Sequence, residues 1–148
     1  MSKPPIFSPP PAGNTAQQHM HRARMFRNAA LELSDIVNGE QNWPRYALLT
    51  HAIELALKAF ALHSGFDVTA GIRPPNHDLV GWYGMALGYG LPDDATVAQH
   101  ISVLNALHQM HYLRYPTEKP ISVPSVDYIA DATVDHLLDA FARIINPR

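Results

Sequence analysis

Thirteen prolines constrain this chain more than any other feature of it. Inside a helix, proline removes a backbone hydrogen bond and clashes with the previous turn. Five prolines fall within residues 1–11, and the others are Pro44, Pro74, Pro75, Pro92, Pro116, Pro120, Pro124 and Pro147. They spare the interiors of five windows, and each window reads as helix.

The first window runs from about Thr15 to Val37, with Phe26, Ala30, Leu33 and Val37 at helical spacing and Asn38-Gly39 as a stop. The second, Trp43 to His63, carries Tyr46, Leu49, Ile53, Ala56, Leu57 and Phe60, with Gly65 as the capping glycine. The third, Asp78 to about Leu87, places Leu79, Trp82, Tyr83 and Ala86 on one side despite two interior glycines. The fourth follows Pro92, with Asp93 and Asp94 suited to a helix start. Val97, Ile101, Leu104, His108 and His111 then share one face. The fifth begins near Ser125 and carries Tyr128, Val134, Leu137, Leu138, Phe141 and Ile144 as its apolar stripe. No strand-like alternation competes, so the expected fold is all-α, an up-and-down bundle of four to five helices.

Composition narrows the class further. With 148 residues the chain suits one domain, and residues 15–148 are expected to form it. Residues 1–14 have little to bury and read as a disordered or extended proline-rich arm, whose one apolar pair is Ile6 and Phe7. The absence of cysteine excludes disulfides, thiolate metal sites and cysteine catalysis. A net charge of −2 argues against nonspecific coating of nucleic acid. No run of ~20 apolar residues could span a membrane, and residues 1–14 lack the pattern of a secretory signal. The expectation is a cytoplasmic protein without a membrane partner.

Four stretches carry a likeness. His51 to Phe60 (HAIELALKAF) with Gly65, Asn76 to Leu79 (NHDL), Leu104-Asn105 and Leu113 to Pro116 (LRYP) occur in that order. Over roughly Tyr46 to Ile145 the chain resembles the HEPN superfamily of helical domains. The resemblance implies a helical bundle, often dimeric, that cleaves RNA, partners a minimal nucleotidyltransferase or binds without catalysis. Catalytic members place a histidine after four to six intervening residues beyond an arginine, near the end of a late helix. Counted from Arg114, the admissible positions hold Lys119, Pro120 and Ile121, so the usual ribonuclease dyad is missing. Arg45 and His51 satisfy the spacing formally, but at the opening of the second helix.

Candidate binding residues follow from helix geometry. His51, Glu54 and Lys58 lie three and four residues apart, on one side of the second helix. A groove against the fourth helix would bring them to His111 and Arg114, with Arg114 able to hold a phosphate through a bidentate fork. A plain Glu54–Lys58 surface pair is the alternative, as is Arg114 acting as a cation at a helix end or as a buried partner of Glu54. His108 and His111 facing His51 and Glu54 could imitate a metal site, but the Glu-x-x-His pattern of bundle metal sites does not occur, and no metal or cofactor is expected. His19, His21, Arg22, Arg24 and Arg27 form a basic cluster, read as a partner contact or a solvated face. Trp82, Tyr83 and Tyr89 serve as a stacking platform or as core.

These observations lead to an expected homodimer that binds RNA or a nucleotide, without the family's catalysis, as the non-toxic half of a defence or toxin–antitoxin pair. A structural adaptor and an atypical metal-independent ribonuclease using His111 and Arg114 are the competing expectations.

Overall fold

The computed structural model describes residues 15–67, 77–109 and 122–147. Expectations about the proline-rich arm, His111, Arg114 and the Leu113 to Pro116 stretch therefore lie outside the described residues. Within them the fold is an all-α bundle with one small hairpin. Helix α1 spans Thr15–Glu32, α2 spans Trp43–His63, α3 spans Leu79–Gly88 and α4 spans Ala95–Gln109. The last helical rod joins α5 (Val126–Ile129), a π-helical stretch (Ala130–Val134) and α6 (Asp135–Ile145).

Helix α2 is the axis, in contact with every other helix among the described residues. Its sequence explains the position. Apolar residues occupy nearly every side of it, and a helix that is apolar all round must be covered all round. Tyr46, Leu49, Ile53, Ala56, Leu57 and Phe60 are all buried, as their spacing predicts. Each fully buried large apolar side chain contributes about 1.5–3 kcal/mol. Pro44 sits in the first turn of α2, where its missing N–H removes nothing from the helix ladder. At the other end, Phe66 N–H donates to Ala61 O at 2.9 Å and Gly65 N–H to Leu62 O at 3.3 Å. Gly65 takes φ +113°, so the expected glycine cap closes as a Schellman motif.

The first window departs from expectation. Helix α1 ends at Glu32, and Ile36–Val37 pair antiparallel with Glu40–Gln41. Asn38 and Gly39 are the two turn residues, both at positive φ (53° and 78°). Asn-Gly favours this two-residue hairpin turn at least as strongly as it favours a helix stop. Leu33 and Val37, placed on the helix face by sequence, are exposed, and α1 instead buries Ala16, Met20, Ala23 and Ala30.

A buried arginine locks this corner. Arg45, 5% exposed, donates through Nε to Ala30 O at 2.6 Å, bonds Asp35 and lies 3.8 Å from Asp127. On the far side, Arg27 grips Asp135 with a two-pronged contact at 2.6 and 2.9 Å. One member of the basic cluster thus ties α1 to α6.

Helix α3 buries Leu79, Trp82, Tyr83 and Ala86, the four residues its spacing selects. The Tyr83 hydroxyl donates to Asp93 Oδ1 at 2.7 Å and accepts from Asp94 N–H at 3.1 Å. Trp82 and Tyr83 are therefore core, not a stacking platform. Asp94 then caps α4, accepting from Val97 N–H at 3.0 Å, and Ser125 caps α5 through Tyr128 N–H at 3.1 Å. Tyr128 itself is 53% exposed, although sequence placed it on the apolar stripe.

Candidate functional site

Two residues of α2 and the start of α3 build the most ionisable cluster among the described residues that does not serve a packing corner. Glu54 lies on α2 between buried neighbours, and its side chain is only 9% exposed. A carboxylate that deep must be paired. Lys58, one turn on, places Nζ 3.4 Å from Glu54 Oε1 and stands over the Trp82 ring at 5.3 Å. The second partner is His77, whose Nδ1 lies 3.1 Å from the same oxygen. The His77 ring is 74% exposed and meets His108 of α4 edge-on, with centroids 6.4 Å apart.

The position of His77 is set from α4. Asn105, 7% exposed, accepts from Leu79 N–H at 3.0 Å and donates to Asp78 Oδ1 at 3.2 Å. Asp78 is the N-cap residue of α3, yet its own side chain makes no capping bond. Asn105 supplies that acceptor from a neighbouring helix, which fixes the backbone beside His77.

The resulting cluster sets a buried carboxylate beneath two nitrogen-bearing groups nearer the surface. Lys58 brings a point charge on a flexible stem. His77 is held at Nδ1 by a carboxylate while its side chain stays largely exposed, and a carboxylate at one ring nitrogen is the arrangement that fixes an imidazole's orientation. Such a cluster can hold an anion or carry a proton. It contains no serine or cysteine nucleophile, and no group of three or more His, Asp, Glu or Cys suited to a metal ion occurs among the described residues.

Of the five residues expected from sequence, Glu54 and Lys58 are brought together. His51 is not with them. It is exposed on α2 and packs against Phe26 of α1, with ring centroids 5.4 Å apart. His111 and Arg114 lie outside the described residues. The formal Arg45–His51 spacing carries no chemistry, because Arg45 is buried in the α1–α2 corner while His51 faces α1 from the surface. Sequence reasoning missed His77 as the partner of Glu54 and Asn105 as its support. Their only signal was membership of the NHDL and Leu104-Asn105 stretches, and the fold brings these two stretches together with Glu54.

Set against protein-family models, curated proteins and solved structures, the chain matches none of them.

Proposed function

We propose that this chain is a HEPN-like helical module, working as a homodimer, that binds a phosphate-bearing ligand (RNA or a nucleotide) at the Glu54–Lys58–His77 cleft. In this reading it does not cleave RNA and belongs to a defence or toxin–antitoxin pair. One observation carries the binding site: a single buried carboxylate holds both a lysine and a histidine at an open rim, with a second histidine beside them. The histidine that would complete the usual ribonuclease dyad is absent from positions 119–121, which supports binding over cleavage.

Fluorescence anisotropy with a labelled single-stranded RNA and a labelled nucleotide tests the reading. Wild type binds at least one of them, and Lys58→Ala and Arg114→Ala weaken that binding about tenfold, a loss of ~1.4 kcal/mol, while each variant still unfolds cooperatively above the assay temperature. No binding by wild type, or equal binding by all three proteins, overturns it. The adaptor reading is favoured by the exposed apolar Leu33, Ile36 and Val37 at the α1–α2 turn. Sedimentation and anisotropy of wild type and Ile36→Ser together separate the two: the adaptor reading predicts a changed assembly with no RNA or nucleotide binding, and the binding reading predicts ligand binding whatever the assembly.

A further inference from the structure

A concave surface lies on the α1 side of α2, beside Phe26, the ring that His51 meets. It is a groove of about 450 Å³ lined by Arg22, Met25, Phe26, Ala29 and Leu48. Four of these five residues are apolar. Met25 is 57% exposed, and Leu33, just past the end of α1, is 43% exposed. Met25 and Ala29 stand one turn apart on the exposed side of α1, and Leu33 follows just beyond its end. An apolar groove of this size can take a short apolar segment.

We propose that the proline-rich segment preceding α1 folds back along this groove and seats Ile6 and Phe7 against Met25, Phe26, Ala29 and Leu48. The inference is independent of the anion site.

Length supports this occupant. From Thr15, Met25 and Ala29 lie ten and fourteen residues along α1, about 15 and 21 Å at 1.5 Å per residue. An extended proline-rich segment advances about 3.1 Å per residue. With a reversal at Gly13-Asn14, a pair suited to a turn, Phe7 stands six residues back, about 19 Å, and so falls between Met25 and Ala29.

Composition supports it as well. Ile6 and Phe7 are the only large apolar residues between Pro4 and Pro11. The flanking prolines have fixed φ, so ordering the segment costs less entropy than ordering an ordinary chain. Prolines bring no N–H, so laying them against a helix strands few donors. The carbonyls of an extended segment have no internal partner, and Arg22 at the groove edge offers guanidinium donors to them. Finally, the segment is tethered to the helix it covers. A short tether gives an effective concentration on the order of millimolar, an advantage that a second copy of the chain lacks.

The chain has no cysteine, which makes a disulfide test clean. Phe7→Cys is combined with Met25→Cys in one full-length protein and with Val80→Cys in another. Val80 is 47% exposed on α3, so neither helix change touches the core. After mild oxidation, intrachain and interchain bonds are separated by non-reducing electrophoresis and mass spectrometry. The proposal predicts an intrachain bond forming about tenfold faster, or more, in the Met25→Cys protein than in the Val80→Cys protein. It also predicts that adding Ile6→Ser slows that bond. Equal rates in the two proteins, or bonds forming only between chains, overturn it, the latter by showing that a second copy occupies the groove.

Discussion

Replacing Asn105 with alanine removes the contact that holds the start of α3 beside Glu54. Asn105 is 7% exposed and holds two bonds, from Leu79 N–H at 3.0 Å and to Asp78 Oδ1 at 3.2 Å. Leu79 is fully buried, so its N–H is left without an acceptor where water cannot easily replace it. An orphaned buried donor costs about 1–3 kcal/mol, and loss of a helix N-cap costs about 1 kcal/mol. The two descriptions overlap at this site, so about 2 kcal/mol is the working figure. For a chain of this size each kcal/mol lowers the melting temperature by roughly 2–4 °C. Asn105→Ala should therefore melt about 4–8 °C below wild type. Hydrogen exchange at the Leu79 amide should accelerate, and the His77 ring resonance should move as the start of α3 loosens from Glu54. Asn105→Asp keeps the acceptor but sets a second carboxylate against Asp78, so it should be unstable at neutral pH and partly recover in acid. If Asn105→Ala melts within ~1 °C of wild type and Leu79 exchanges at the wild-type rate, the claim that α4 positions this site is wrong.

Other consequences follow from the packing. Burial pushes the His100 imidazole below its ordinary 6.5, with Asp94 opposing, in a pocket where Nδ1 bonds Thr133 Oγ1 at 2.7 Å and the ring meets Tyr128. The unfolded chain then takes up a proton that the folded chain resists, so stability falls as pH drops from about 6.5 toward the folded value. Urea titrations at neutral and mildly acid pH should show a weaker pH dependence in His100→Gln than in wild type; equal dependence contradicts this. The Val97 N–H holds the Asp94 carboxyl below its usual 3.8, so its capping contribution is full at neutral pH and fades as pH falls through and below 3.8. Thermal melts of Asp94→Ala should lie below wild type at neutral pH and converge with it in strong acid. Arg45→Met leaves Ala30 O without its donor and releases Asp35, and chemical unfolding should register a loss of about 2–3 kcal/mol. A loss under ~0.5 kcal/mol would remove Arg45 from the account of the α1–α2 corner.

Helix positions were legible because proline and glycine punctuate this chain so heavily. Trp43–His63 and the four buried residues of α3 follow directly from spacing and stop signals. The hairpin at Asn38-Gly39 was not, because the same dipeptide ends helices and turns strands, and only the exposure of Ile36 and Val37 decides between them. No glycine or proline announces the π-helical stretch Ala130–Val134. Half of the candidate site was visible as well. Glu54 and Lys58 are neighbours by helix geometry alone, whereas the separation of His51 from them depends on where α1 lies, and spacing along α2 carries no information about that. The His77–Glu54 contact spans 23 residues and the Asn105 cap spans 26, pairings that arise only once three helices pack.

The most direct test of the central claim follows side-chain resonances of Lys58, His77, His108 and His51 while a nucleoside monophosphate is titrated into the folded protein. The account predicts saturable shifts at Lys58 and His77, a smaller one at His108, and none at His51 on the α1 side. Shifts as large at His51 as at His77, or no saturable shift at Lys58 and His77, would contradict it.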